Sequence, residues 1–214
     1  AFDELTGRFW DAQHGGTYWM LDGRGRPLSD RKQTYALAFS LYGLVEYHRA
    51  TESGPALERA LELHRVIEAH ASDAAHGGYE EARARDWSPL ADVRLSDKDL
   101  NAPRSMNTHL HVMEAYASLL RAWADPGLRE RLRAVVALHL DRILDPATGH
   151  LVLFFGEQWA PLSRTVSYGH DIEASWLLVE AAEAVDDHAL VERAKAAAVR
   201  AGRRDPASDQ KVQA

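Results

Sequence analysis

One short pattern occurs three times in this chain and constrains its fold more than any other feature. An aspartate is followed four residues later by a glycine, and then by glycine or histidine, in segments 11–16, 73–78 and 145–150. The segments start 62 and 72 residues apart, and a short aromatic or β-branched run follows each. Aspartate and glycine favour tight turns, because aspartate bonds nearby backbone and glycine reaches positive φ cheaply. Each segment therefore predicts a helix end, a turn and a short extended piece within a repeated architecture.

Helical periodicity lies between these turns. Apolar side chains recur at helical spacing in pairs of segments separated by short polar or Pro/Gly breaks. The six predicted helices are 31–51 and 55–71, 106–124 and 128–144, and 171–185 and 189–201. This order predicts an all-α array of αα-hairpins with short β-strands in the connecting loops. Such an array can stay open as a solenoid or close into a toroid.

The amino-acid composition argues against several classes of function. The chain has 214 residues, a net charge of −7 and no cysteine. The acidic balance argues against a nucleic-acid partner or an anionic membrane surface, and the missing cysteines exclude thiolate chemistry. Apolar runs are too short to span a bilayer and no export signal opens the chain, so we expect a cytoplasmic protein.

Polar residues concentrate where the first helix of each hairpin begins. In a toroid the first helices of the hairpins are the inner helices and their N-termini point to one end, so 104–111 and 167–173 should converge. We expect His111 and His170 to face a common hollow there. Asn107 and His111 share a helix face, as do His170 and Glu173. Instead of forming a functional site, each of these residues could simply stabilise the end of its helix, by capping it or by complementing the helix dipole. A metal site is less favoured, although His109, His111, His170, Asp171 and Glu173 supply suitable ligand types, since His109 and His111 are two residues apart and diverge on a helix. We therefore predict no metal ligands.

The same residues resemble a known family. The segments Lys98-Asp-Leu-Asn101, Arg104-Ser-Met-Asn-Thr-His-Leu-His111 and Ser167-Tyr-Gly-His-Asp-Ile-Glu-Ala-Ser-Trp-Leu-Leu178 are similar to cellobiose 2-epimerase signatures of the N-acylglucosamine 2-epimerase superfamily. The resemblance runs from about Phe9 to about Asp187. It implies part of an (α/α)6 barrel over residues 1–202, which leaves 203–214 as a disordered or truncated tail.

The resemblance also implies a chemistry. Family members interconvert epimers at C2 of a reducing-end sugar, such as glucose and mannose in cellobiose-type β-1,4 disaccharides, without metal or nucleotide cofactor. It implies that His170 is a catalytic acid/base histidine and that Asn107, His111 and Glu173 line the sugar site. The expected partner is a small sugar, and the oligomeric state is left open.

Two positions depart from the family pattern. A substrate-binding arginine is common near residue 34, where this chain has threonine, and Arg31 one turn earlier is the candidate substitute. The family's second catalytic histidine is expected beyond this chain. Three alternatives stay open: an N-acylglucosamine 2-epimerase or monosaccharide aldose–ketose isomerase, an α/α-barrel glycoside hydrolase or lyase using paired acids, and an inactive truncated barrel that binds a sugar or another partner.

Overall fold

The computed structural model describes residues 1–201, so the predicted tail at 203–214 lies outside the described residues. Seven α-helices are present in this part: α1 (Phe2–Glu4), α2 (Thr34–Thr51), α3 (Gly54–His70), α4 (Met106–Ala122), α5 (Pro126–Leu138), α6 (Tyr168–Val185) and α7 (His188–Ala201). A π-helical turn follows α1 (Leu5–Phe9), and a second one follows α5 (His139–Ile143). The short strands are β1 (Met20–Leu21), β2 (Pro27–Ser29), β3 (Lys32–Gln33), β4 (Ala82–Arg83), β5 (Arg104–Ser105) and β6 (Phe154–Phe155).

The helices form the three predicted hairpins. Helices α2, α4 and α6 pack side by side, and α3, α5 and α7 each pack against the helix that precedes them. Helix α4 is the centre of the core, and its side chains Leu110, Met113 and Tyr116 are fully buried. Within residues 1–201 no helix is long and apolar enough to cross a membrane. The all-α hairpin prediction is therefore confirmed.

The threefold repeat folds in one way each time. In the first copy, Asp11 N–H donates to the Gly16 carbonyl at 2.9 Å and Gly15 N–H donates to the Asp11 carbonyl at 2.8 Å. The copies that begin at Asp73 and Asp145 close with the same two bonds at 2.8–2.9 Å. A β-bridge flanks each turn, as between Trp10 and Thr17. The repeated segments are therefore turns that return the chain from an outer helix, as predicted.

Short antiparallel strands join the hairpins at the end where α2, α4 and α6 begin. Strand β3 pairs with β4, and β5 pairs with β6. The start predicted for the helix over 31–51 was wrong. Lys32 and Gln33 are extended and pair with Arg83 and Ala82. A ladder partner satisfies their backbone groups outside the helix, so α2 begins only at Thr34.

The other helix boundaries also differ from the sequence prediction, most of all in α5 and α6. Helix α6 begins at Tyr168 rather than at 171, which places His170 inside its first turn. The helix predicted over 128–144 begins at Pro126, a position that suits proline because its missing N–H has no helical partner there. Its last five residues, His139–Ile143, form the π-helical turn.

Candidate active site

The first turn of α4 carries Asn107 into a small cavity. Ser105 caps this helix, since its hydroxyl accepts the Thr108 N–H at 3.1 Å. The Asn107 side-chain oxygen Oδ1 is buried and has no hydrogen-bond partner among the described residues. A buried acceptor without a partner is costly, so a ligand that donates a hydrogen bond would stabilise it.

His170 lies on the wall of the same cavity. The cavity encloses about 110 Å³, and its lining includes Glu81, Met106, Asn107, Leu153, Phe154 and His170. The His170 ring nitrogen Nδ1 is 2.7 Å from the Ser167 hydroxyl oxygen Oγ. Two side chains from different hairpins, each singled out in the sequence, therefore share one hollow.

His111 lies one turn further along α4 and is held from two sides. Its Nδ1 is 2.9 Å from the Glu114 carboxylate oxygen Oε2. Its ring is in contact with the Tyr35 ring edge-on, with 5.2 Å between centroids, and with the Phe39 ring at 4.4 Å. The side chain is 6 % exposed, and it does not line the cavity of Asn107 and His170.

Glu173 lies near Tyr35, whose ring contacts His111. Burial raises the pKa of Tyr35, and the negative charges of Glu173 and Glu114 raise it further. Tyr35 therefore has both carboxylates nearby while its ring touches His111. Asn107, His111, His170 and Glu173 occupy one region where α2, α4 and α6 meet, and their roles stay predictions.

Arg31 occupies a different place. Its guanidinium lies 5.5 Å from the centroid of the Trp19 ring, and its Nε is buried without a partner among the described residues. Burial lowers the pKa of Arg31, which the negative charge of Asp92 partly offsets. Arg31 is absent from the lining of the His170 cavity, whereas Arg94 belongs to it. Its substrate-binding role stays a prediction.

The residues of the disfavoured metal hypothesis are engaged elsewhere. His109 is fully buried, its Nε2 accepts the Tyr79 N–H at 2.9 Å, and burial lowers its pKa to about 3. The Asp171 carboxylate accepts the Leu151 N–H at 2.9 Å and contacts His150 Nδ1 at 2.8 Å. Over the described ranges, no three His, Asp or Glu side chains are grouped to hold a metal ion.

Three residues around the site, Ser167, Glu114 and Glu81, were given no role from the sequence. Ser167 and Glu114 each lie three residues from a candidate histidine on a helix, so helical spacing could have indicated both. Glu81 lies in the loop after β-bridge residue Tyr79, and no local pattern marks it. Burial raises the pKa of the Glu81 carboxyl to about 7, although three hydrogen bonds oppose that rise.

Known proteins resemble this chain in sequence and in structure. Residues 2–211 match the family model of N-acylglucosamine 2-epimerase (GlcNAc 2-epimerase). Cellobiose 2-epimerase of Bacteroides fragilis is 48 % identical over 187 residues, which are 87 % of this chain and 48 % of that protein. The structure of cellobiose 2-epimerase from Bacillus thermoamylovorans B4167 superposes with a TM-score of 0.85 at 37 % identity, over 90 % of this chain and 50 % of that one.

A second solved structure agrees. The sugar epimerase from a ruminal bacterium superposes with a TM-score of 0.88 at 32 % identity, over 94 % of this chain and 51 % of that chain. These similarities to (α/α)6 barrels confirm the predicted fold class. The chain spans about half the length of the relatives that it matches.

Proposed function

The chain belongs to the N-acylglucosamine 2-epimerase family, and from that premise we propose that its protein interconverts glucose and mannose at C2 of the reducing end of a β-1,4 disaccharide such as cellobiose. The observation that carries the proposal is the cavity shared by Asn107 and His170. It offers an imidazole base and an amide within one hollow where inner helices begin. The relatives named cellobiose 2-epimerase supply the substrate class.

The proposed reaction begins with removal of the C2 proton. In a ring-opened aldose the C1 carbonyl acidifies C2–H, and a neutral imidazole can take that proton. If His170 Nδ1–H donates to Ser167 Oγ, the lone pair of Nε2 is free to act as the base. The Asn107 amide N–H can donate to an enediolate oxygen while its Oδ1 accepts from a sugar hydroxyl. The hydroxyl would satisfy an acceptor that has no partner among residues 1–201.

The neighbouring residues would hold the sugar. Glu114 accepts a hydrogen bond from His111 Nδ1, which leaves His111 Nε2 to accept one from a sugar hydroxyl. Glu173 can accept from another hydroxyl. The proton returns to the opposite face of C2, from a second acid or after rotation about C2–C3. Return of the proton to C1 instead would give a ketose, which is the aldose–ketose isomerase alternative.

The test uses the complete gene product with cellobiose, mannose and N-acetylmannosamine as separate substrates, followed by NMR of the products. The proposal expects a mannose-ended disaccharide from cellobiose. A ketose, or turnover of N-acetylmannosamine alone, would favour the other members of the superfamily, and release of monosaccharide from cellobiose would favour a hydrolase. Sugar binding without turnover would favour the non-enzymatic alternative.

A matched pair of histidine variants tests the residue assignment. We expect His170→Ala to reduce kcat by at least about 10³-fold, within the range that acid–base catalysis contributes. His188→Ala is the control, because His188 is exposed at the start of α7. A His170→Ala protein with nearly normal turnover would contradict the mechanism.

A further inference from the structure

Glu81 connects the segments that lead into two of the inner helices. Its carbonyl oxygen accepts the N–H of Thr34, the first residue of α2, at 3.0 Å. Its own N–H donates to the Pro103 carbonyl, just before β5, at 3.1 Å. Its side chain lines the cavity that Asn107 shares with His170 of α6. The backbone of Glu81 is therefore fixed where α2 and α4 begin, beside the first turn of α6.

The Glu81 carboxylate binds the first turn of α4 through three donors. Its Oε2 accepts the Ser105 N–H at 3.0 Å. Its Oε1 accepts the Ser105 hydroxyl at 3.0 Å and the Thr108 hydroxyl at 2.6 Å. Asn107 lies between these two residues in the chain, so the carboxylate is bonded on both sides of it.

Helix capping alone does not account for this arrangement. Ser105 already caps α4 with its own hydroxyl. Glu81 is 4 % exposed, and burying a carboxyl group is costly even with hydrogen bonds. A solvated acid would complement the helix dipole at lower cost. A buried acid at the edge of the hollow that Asn107 shares with His170 is therefore more consistent with a role in the geometry of that hollow.

We propose that Glu81 is a positioning residue, which acts through the first turn of α4 to hold Asn107 across the cavity from His170. This inference rests on the proposed function of the cavity. The bonds from Ser105 and Thr108 engage both carboxyl oxygens of Glu81, so the role assigned to Glu81 is to hold α4 rather than to contact the sugar.

Three variants separate this role from a general contribution to folding. Glu81→Ala removes all three bonds, whereas Thr108→Val removes one hydroxyl donor and keeps the side-chain shape. Glu80→Gln is the matched control, because the Glu80 carboxylate pairs with Arg83 and, within residues 1–201, forms no hydrogen bond or ion pair with α4. Thr108→Val keeps the test decisive if Glu81→Ala does not fold.

The first measurement is amide hydrogen exchange, which needs no catalytic activity. We expect Glu81→Ala to speed exchange at the Ser105 and Thr108 amides by at least about tenfold, since a local hydrogen bond is worth about 1 kcal/mol or more. Thr108→Val should show a smaller increase, and Glu80→Gln none. Unchanged exchange in both site variants would overturn the proposal, whatever the protein catalyses.

The second measurement is a double-mutant cycle in kcat/KM with Asn107→Ala, made in the complete gene product. If Glu81 acts through Asn107, Glu81→Ala or Thr108→Val lowers kcat/KM about tenfold or more in the wild-type background and less than about threefold in the Asn107→Ala background. Equal losses in the two backgrounds would overturn the positioning role. A wild-type protein that neither turns over nor binds sugars would contradict the proposed function instead, and hydrogen exchange would still decide whether Glu81 holds α4.

Discussion

The Glu114 carboxylate lies one helical turn from His111, with Oε2 2.9 Å from the ring nitrogen Nδ1. The pair is largely buried, with side-chain exposures of 7 % for His111 and 16 % for Glu114. An ionised carboxylate only accepts hydrogen bonds, so the proton of a neutral His111 resides on Nδ1. This relationship fixes the orientation of the ring and leaves Nε2 as the nitrogen without the proton.

Removing that carboxylate should impair sugar binding more than chemistry. We expect Glu114→Ala to raise KM about tenfold with a smaller change in kcat, because it releases the ring of a residue assigned to binding. Glu114→Gln keeps an acceptor oxygen and should stay within about threefold of wild type. Steady-state kinetics of the two variants check this. Equal damage by both would mean that the charge, rather than ring orientation, is what matters.

Glu81 should make stability depend on pH. Its folded pKa is about 7, above the ordinary 4.5, so folding favours the protonated form. The stability that the folded protein gains from protonated Glu81 is fully present below pH 4.5, and it is lost as the pH rises through 7. Glu81→Gln, which stays neutral, should therefore gain stability relative to wild type as pH rises from 4.5 to above 7. The gain should be on the order of 2–3 kcal/mol.

Urea unfolding at pH 5 and pH 8 measures this difference. Glu80→Gln is the reference for removing an adjacent carboxylate that is not buried. If the free energies of unfolding of Glu81→Gln and wild type differ by the same amount at both pH values, the pKa of Glu81 is not raised in the folded protein.

The second repeated turn offers a matched glycine pair. Gly77 and Gly78 both have positive φ, at 75° and 77°. A Cβ on Gly78 would lie 2.6 Å from His109 Nε2 and 2.6 Å from the Trp159 ring, whereas a Cβ on Gly77 would meet nothing within 4 Å. We expect Gly77→Ala to cost about 1–2 kcal/mol for its backbone alone. Gly78→Ala should cost at least about 2 kcal/mol more because of overpacking.

Thermal or urea unfolding of the two alanine variants tests the packing of this turn against α4. Similar losses for Gly77→Ala and Gly78→Ala would indicate that His109 and Trp159 can move aside. A much larger loss of stability for Gly78→Ala would support the conclusion that the close approach of His109 and Trp159 requires glycine at this position.

Sequence reasoning predicted the parts that local pattern determines. The hairpins follow from helical periodicity, and the three turns follow from aspartate and glycine at fixed spacing. Asn107 and His170 were expected at one end because both open the first helix of a hairpin, and both line one cavity. His111 was expected to face the same hollow as His170, but it lies a turn away among aromatic rings and does not line that cavity.

Contacts between distant loops could not be predicted in this way. Lys32 and Gln33 are extended because β4, fifty residues later in the chain, pairs with them. Glu81 has no periodic neighbours, and its partners Ser105 and Thr108 are 24 and 27 residues away. Such positions become evident only when tertiary structure brings segments together.

Transfer of solvent deuterium into the sugar is the decisive test of proton abstraction from C2 by His170. The complete gene product is incubated with cellobiose in D₂O, and NMR locates the label for wild type, His170→Ala and His188→Ala. We expect deuterium at C2 of the reducing-end sugar with wild type and His188→Ala, and at least about 10³-fold slower labelling with His170→Ala. Equally fast C2 labelling with His170→Ala would contradict this role of His170.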